Sequence, residues 1–323
     1  MSTYLITGAS GYIGSMLVKR LLKTETDAKI IALVRSPRNM QETSSDRLHI
    51  FSADLCDASF PERFYEKYKM ADYILHCAST TKSAEMIAHP VEVTEGIVNG
   101  TQNVLKLARR CDVRSMVYLS SMEVYGNMDC SDGHRVTEEE AGSGSLELLR
   151  TRSCYPLGKR MAENICCSYF EEYGVPVKIA RLAQTFGSGI LPSDNRVFAQ
   201  FARSVREKRD IVLHTKGNSM GNYCAIDDTV SGILAILENG KNGEAYNVVN
   251  EANTMTIRQM AKLVASQIAG GEIGVRYEIT GDNSHGYAPD TGLCLSGKKL
   301  TDLGWRPQKS LEDMYRDMLE DMH

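Results

Sequence analysis

Tyr155-Pro156-Leu157-Gly158-Lys159 sets a phenol and an ammonium four residues apart. Pro156 suits a first helical turn, and on a starting helix both side chains project from one face. An ammonium beside a phenol favours the phenolate and draws the tyrosine below its ordinary value of about 10. Tyr155 then becomes a general acid or base for an alcohol near neutral pH. The spacing alone is common on solvated helix faces, so its meaning depends on its neighbours. Upstream, the apolar run Met116-Val117-Tyr118-Leu119 ends in Ser120-Ser121 and leads into Met122-Glu123-Val124-Tyr125-Gly126. This reads as a buried strand with hydroxyls at its carboxyl end, the edge where open α/β sheets hold ligands. Side-chain alternation sends Ser120 and Ser121 to opposite sides.

The elements that must position these groups begin at the N-terminus. Residues 3–7 form a short apolar strand, followed by Thr7-Gly8-Ala9-Ser10-Gly11-Tyr12-Ile13-Gly14. Beyond it Ile13, Met16, Leu17 and Leu21 recur at helical spacing. In a strand, turn and helix of this kind Gly8 permits the tight turn and Gly11 lets backbone amides approach a pyrophosphate. Gly14 lets the helix pack closely. The phosphates then sit on the helix N-terminus, with Ser10, Tyr12 and Ile13 lining the same turn. A second strand, Lys29–Val34, is followed by Arg35 and Arg38. An NAD-selective site places an acid there for the ribose 2′-hydroxyl, whereas a cation suits a 2′-phosphate, so Arg35 leans toward NADP.

Leu48-His49-Ile50-Phe51 leads to Asp54-Leu55, placed to touch an adenine, and Asp72–Ser79 is a strand ending in the small residues Cys77, Ala78 and Ser79. His76 on that strand reads as a structural hydrogen-bonding residue. Residues 90–111 have helical periodicity, and Asn99 within them is expected to bond strand backbone near the site. Strands alternate with helices through residue 182, which predicts an α/β fold with a Rossmann-type doubly wound parallel sheet. Gly187-Ser188-Gly189 marks a boundary: residues 1–186 form a dinucleotide-binding domain and 187–323 a smaller C-terminal α/β substrate domain. The strand near 245–249 is expected to return to the large sheet. Gly142–Ser145 reads as a mobile loop, and Glu138-Glu139-Glu140 as a solvated face.

With 42% hydrophobic and 24% charged residues the chain has the make-up of a soluble protein, and a net charge of −4 leaves no footprint for nucleic acid or an anionic membrane. No apolar run reaches membrane-spanning length, and the first residues lack a secretory pattern. Nine cysteines without a pairing framework or metal-type spacing point to free thiols in a cytoplasmic protein, with no metal expected. Cys154 has no histidine nearby in sequence and reads as a space-filling residue.

Several motifs follow one another in a fixed order: Thr7-Gly8-x-x-Gly11-x-x-Gly14, Asp54-Leu55, His76-x-Ala78-Ser79, Asn99-x-Thr101-x-Asn103, Ser120-Ser121-x-Glu123-Val124-Tyr125-Gly126, Tyr155-x-x-x-Lys159 and Leu303-Gly304-Trp305-x-Pro307. In this the chain resembles the extended short-chain dehydrogenases/reductases, in the nucleotide-sugar epimerase/dehydratase branch. It is nearest in look to the UDP-glucuronate decarboxylases and dTDP-glucose 4,6-dehydratases. The resemblance implies catalytic Ser121, Tyr155 and Lys159, a nicotinamide cofactor across the first domain, a sugar nucleotide clasped by the second, and a homodimer through the helices around 91–111 and 155–173. Tyr155 would take a proton from a sugar hydroxyl as hydride passes to the nicotinamide, Ser121 would bond the same oxygen, and Lys159 would hold the nicotinamide ribose. Thr80, Met122 and Gln184 join Ser121 and Glu123 around the substrate. These relatives lean toward NAD where Arg35 leans toward NADP, and both remain open.

The sequence also departs from the pattern. In the dehydratases a hydroxyl residue is followed by Asp-Glu, and Met122 replaces that Asp, leaving Glu123 to take a proton beside a transient ketone. Gly221 stands where an arginine for substrate phosphate is usual, Gly286-Tyr287-Ala288-Pro289-Asp290 lacks another, and Gln184 replaces an Asn. Phosphate binding then passes to other cations, such as Arg196 or Lys216, or the substrate carries a different group. An NADPH-dependent reductase of a ketosugar or another small carbonyl compound is the alternative, and a non-catalytic dinucleotide sensor a further one.

Overall fold

The computed structural model describes residues 2–36, 45–130, 132–191, 193–279 and 292–322. Arg38 and the Gly286–Asp290 segment lie outside them. In chain order the first part consists of β1 (Thr3–Thr7), α1 (Tyr12–Thr24), β2 (Lys29–Val34), β3 (Leu48–Ser52), α2 (Phe60–Tyr68), β4 (Tyr73–His76), α3 (Ser83–Ala88), α4 (Pro90–Cys111), β5 (Ser115–Ser121), α5 (Cys154–Tyr173) and β6 (Val177–Leu182). The second part runs through β7 (Gln184–Phe186), α6 (Val197–Arg206), β8 (Ile211–Leu213), β9 (Met220–Gly221), β10 (Tyr223–Ala225), α7 (Ile226–Asn239), β11 (Ala245–Val248), β12 (Met255–Thr256), α8 (Ile257–Leu263), β13 (Val275–Tyr277), α9 (Lys298–Asp302) and α10 (Leu311–Glu320).

Seven strands make one sheet in the order β11-β6-β5-β4-β1-β2-β3, with every neighbouring pair parallel. A parallel sheet buried on both faces needs apolar residues at odd and even positions alike. β2 supplies them: Ile30, Ala32 and Val34 enter one core, Ile31 and Leu33 the other. The first core is closed by Leu17, Val18 and Leu21 of α1 and by Ile233, Ile236 and Leu237 of α7. The second is closed by Phe60 and Phe64 of α2, Ile97 and Val104 of α4, and Ala162 and Cys166 of α5. Each Val, Leu, Ile or Phe among them contributes about 1.5–3 kcal/mol on leaving water. The doubly wound Rossmann-type fold expected from the alternation is the fold found.

The order in which strands are added reverses between β1 and β4, and the crevice outside their carboxyl ends is where such sheets take ligands. β11 pairs with β6 at the far edge, so chain from beyond residue 186 completes the large sheet. The other C-terminal strands form three small pairs, β7 with β10, β8 with β13 and β9 with β12. They surround a separate core of Phe186, Phe198, Phe201, Tyr223, Met314 and Tyr315, with the Phe186 and Phe198 rings stacked at 4.3 Å between centroids.

Two local expectations are corrected. Glu138 is buried rather than solvated: its carboxylate accepts the Asn247 N–H at 2.7 Å, because the short helix Glu138–Glu140 packs against β11. The Gly142–Ser145 segment is tied down rather than loose. Asn127 donates to the Ser145 carbonyl at 2.9 Å, and Arg160 of α5 reaches the Gly144 carbonyl at 3.2 Å.

Candidate active site

β5 delivers Ser121 to the sheet's carboxyl edge, where the chain turns into a 3-10 helix, Met122–Tyr125. Ser121 caps it: its backbone is extended and its Oγ accepts the Glu123 N–H at 3.2 Å. Ser120, one residue earlier, is buried and its Oγ makes no hydrogen bond, as alternation along a strand requires. A second 3-10 turn, Thr151–Ser153, feeds into α5 and sets Tyr155 in its first turn. The Tyr155 phenol lies close enough to the Ser121 side chain for that hydroxyl to favour its ionisation. Lys159, one turn on, is buried; its Nζ donates to the Leu119 carbonyl of β5 at 2.7 Å and lies 5.8 Å from the Tyr155 ring centroid.

The electrostatics differ from the expectation of a tyrosine drawn down by its lysine. Burial raises the Tyr155 phenol, and the nearby Glu123 carboxylate adds to the rise. Lys159 is lowered to about 8 by burial, with Glu163 opposing. The physical reason is that the ammonium is aimed at a backbone carbonyl, while the closed site strips water from both groups. The Ser121 hydroxyl and the charge of Arg152 act the other way on Tyr155.

Arg152 and Glu123 form an ion pair at 2.9 Å between the two 3-10 turns, and the Arg152 guanidinium lies 5.7 Å from the Tyr155 ring centroid. Arg160, one residue past Lys159, donates to the Val124 carbonyl at 2.7 Å and fixes α5 to the 3-10 helix carrying Glu123. Beneath both, Glu163 and Arg181 form a buried ion pair at 2.8 Å, and Arg181 continues to the Tyr125 hydroxyl at 3.1 Å and the Glu138 carbonyl at 2.7 Å. The motif reading did not single out Arg152, Arg160 or Arg181 as site residues. The available signal was weak, namely a basic residue within one turn on either side of the Tyr–Lys pair.

At the opposite rim Gly8 adopts a left-handed φ of +65°, and a Cβ there would come within 2.7 Å of the Ala78 Cα beyond β4. A Cβ on Gly14 would fall 2.3 Å from the Gly8 carbonyl oxygen, so α1 packs on the turn itself. Gly11 precedes α1, whose first turn carries no acidic residue, leaving its N–H groups available to an anion. Ser10 is exposed at the turn, and Ile13 packs against the first core. The Tyr12 side chain is committed elsewhere, donating to the Ser188 carbonyl at 2.9 Å. Arg35 and Asp54 are exposed beyond β2 and β3, and Asp54 caps the Cys56 N–H at 2.9 Å.

His76 is a structural residue, bonded to Thr7 at 2.7 Å and Thr101 at 3.1 Å and lowered to about 3 by burial. Asn99 is corrected: it is exposed on α4, and the backbone bond expected of it is made by Asn103, one turn later, to the Leu55 carbonyl at 2.9 Å. Beyond β4, the Cys77 thiol is pushed up to about 12 by burial, and the Ser79 Oγ is buried without a hydrogen-bond partner. Thr80, Met122 and Gln184 are half-buried. Arg196 is paired with Asp194 at 2.6 Å yet still acts electrostatically on Tyr155, whereas Lys216 is simply exposed. Cys154 turns its thiol to the Met86 carbonyl at 3.5 Å.

The glycine turn, a helix N-terminus without acids, and a buried, unbonded Ser79 hydroxyl beyond the carboxyl end of β4 fit a dinucleotide. A family model described as the NAD dependent epimerase/dehydratase family matches residues 4–249. The chain belongs to that family. It is an NAD(P)-dependent enzyme of the extended short-chain dehydrogenase/reductase type, in a family of nucleotide-sugar epimerases, dehydratases and decarboxylases. UDP-glucuronic acid decarboxylase 6 of Arabidopsis thaliana is 28% identical over 321 residues, covering 98% of this chain and 88% of the relative. The dTDP-D-glucose 4,6-dehydratase of Mus musculus is 26% identical, covering 98% and 87%. The solved UDP-glucose 4-epimerase of Thermotoga maritima, with UDP-glucose, superposes with a TM-score of 0.83 at 22% identity, covering 99% of this chain and 98% of that one. A dTDP-glucose 4,6-dehydratase of Streptomyces venezuelae with NAD bound gives 0.79 at 24%, covering 98% and 96%. Among the described residues no helix is long and apolar enough to cross a membrane.

Proposed function

We propose that this enzyme binds a nucleotide-activated sugar and transiently oxidises one of its hydroxyls, with Ser121, Tyr155, Lys159 and Glu123 doing the chemistry. The observation that carries the reading is that Tyr155 lies beside Ser121, with buried Lys159 one turn along the same helix. When bound, the nicotinamide ring supplies the two-electron exchange with the sugar carbon. Burial holds the Tyr155 proton in the resting site; once that proton is released to water, the phenolate takes the proton of the sugar hydroxyl and returns it when the transient carbonyl is reduced. Ser121 hydrogen-bonds the same oxygen and stabilises its changing charge. Glu123, held by Arg152 at 2.9 Å, removes a proton from the carbon beside the transient carbonyl. Gly8, Gly11, Ser10, Ile13, Ala78 and Ser79 hold the dinucleotide, with Arg35, Asp54 and Leu55 at its adenosine end. Thr80, Met122 and Gln184 border the sugar.

Residues 1–186 would carry the dinucleotide and 187–323 the sugar nucleotide. UDP-glucuronic acid, UDP-glucose and dTDP-glucose are the substrates to offer, since the similar proteins are named for acting on sugars of these kinds. Incubation of each with enzyme and NAD, followed by mass spectrometry of the products, tests the reading. Tyr155→Phe is expected to lower kcat by at least about 10²-fold while dinucleotide binding, read by calorimetry, stays within a few-fold. Full turnover by Tyr155→Phe refutes the assignment. Net stoichiometric consumption of NADPH with a ketosugar would instead identify a reductase.

A further inference from the structure

Outside that site, two thiols far apart in sequence meet in the fold. Cys130 follows the 3-10 helix Met122–Tyr125 and is buried in the first core; Cys294 is half-buried against the same core. Burial, and after it the Cys130 thiol, raises the Cys294 thiol, as neighbouring sulfurs do. The backbone on both sides is fixed in register. Val136 donates to the Cys294 carbonyl at 2.7 Å, and Ser296 donates back to the Val136 carbonyl at 2.9 Å. Asn222 clamps the residues on either side of Cys294, giving its amide to the Leu293 carbonyl at 2.7 Å and taking the Leu295 N–H at 2.8 Å. Gly292 runs so close to the other strand that a Cβ there would lie 3.3 Å from the Cys130 nitrogen. An open pocket of about 260 Å³, lined by Asn127, Met128, Asp129 and Gly292, lies beside the pair.

We propose that Cys130 and Cys294 are a redox modification site, reduced at rest and joined as a disulfide by a small disulfide oxidant such as oxidised glutathione. Cys294 is the more accessible sulfur and has Arg135 beside it to favour its thiolate, although burial and Cys130 raise it. It attacks oxidised glutathione, forming a mixed disulfide and releasing one glutathione thiol. Cys130 then attacks the Cys294 sulfur, the mixed bond breaks, and the second glutathione leaves as a thiol. Two protein thiols are oxidised and one glutathione disulfide is reduced, so electrons and protons balance. The new bond fastens the loop beyond Glu123 to the C-terminal segment and pins the two walls of the pocket.

Full-length reduced protein, treated with millimolar oxidised glutathione, alkylated and digested without reduction, tests this by mass spectrometry. The expected product is one peptide pair linking Cys130 to Cys294, with intact mass lower by two hydrogens per crosslink. Cys56, exposed, serves as the internal control for reagent access. Cys130→Ser should leave a lasting glutathione adduct on Cys294, and Cys294→Ser should leave Cys130 unmodified. The closed loop is long, so the wild-type Tm should rise by several degrees on oxidation and that of either variant should not. The proposal is overturned if Cys130 and Cys294 stay alkylatable while Cys56 is modified, if either pairs with another cysteine, or if wild-type Cys294 accumulates glutathione without the crosslink. None of these outcomes depends on finding the sugar substrate.

Discussion

At the scale of the residue, Tyr155 is governed by its surroundings from several sides. Glu123 and Ser121 face it from the β5 end, Arg152 from the preceding turn, Arg196 from the head of α6, and Lys159 and Cys154 from its own helix. Glu123 raises the phenol and Arg152 lowers it, so the two partners of one ion pair should move the same ionisation in opposite directions. In tyrosinate-absorbance titrations, each read against its own Tyr155→Phe background, Glu123→Gln is expected to shift the Tyr155 limb to lower pH and Arg152→Met to higher pH, by roughly half a unit or more. Arg152→Lys should restore the wild-type limb. Profiles that move together, or not at all, would show that the pair does not act on Tyr155. Lys159 gives a second prediction. The unfolded chain holds that proton up to 10.5, whereas the native site releases it near 8, so between those values the unfolded state binds more protons. Wild-type stability should therefore rise relative to Lys159→Met as pH climbs from 8 to 10.5, by on the order of 3 kcal/mol, measured by urea unfolding.

At the scale of the element, the site depends on three close approaches. α1 sits on the Gly8 turn, that turn sits on the end of β4, and α5 is bolted through Arg160 to the 3-10 helix that carries Glu123. Gly14→Ala inserts a methyl 2.3 Å from a backbone oxygen, which has no flexible end to swing away. The expected cost is about 1–3 kcal/mol of stability, together with weaker dinucleotide binding, checked by denaturant titration and calorimetry. Much of this level was legible from the chain. The glycine spacing, the apolar strand runs and the Tyr–Lys interval fixed which elements surround the site, because period and turn chemistry are local properties. Asn99 was misjudged for a helical reason. Asn99 and Asn103 stand one turn apart on the same helix, and which of them faces β3's exit depends on the docking of α4 against the sheet, which no local pattern encodes.

At the scale of the whole molecule, α4 and α5 run side by side, with Ile97 against Gly158 near their starts and Arg109 over the Tyr173 ring near their ends. Val91 and Met161 remain exposed on this pair, a surface that suits the homodimer the family resemblance implies. Val91→Glu with Met161→Glu should convert a dimer to a monomer, read by sedimentation; wild-type protein that already sediments as a monomer would remove the proposal. Tyr12, at the start of α1, donates to the Ser188 carbonyl and so ties the glycine turn to chain beyond β7.

The sequence by itself determined the sheet, the order of its motifs and the residue types at the site, since hydrophobic period, glycine turns and a strand ending in serine act over a few residues. Only the tertiary structure decided the charges around Tyr155, the burial of Glu138 and the meeting of Cys130 with Cys294. Burial and pairing across more than a hundred positions depend on how finished elements dock. The same docking turned Lys159 toward Leu119 and left Tyr155 raised where its sequence neighbour alone would have lowered it.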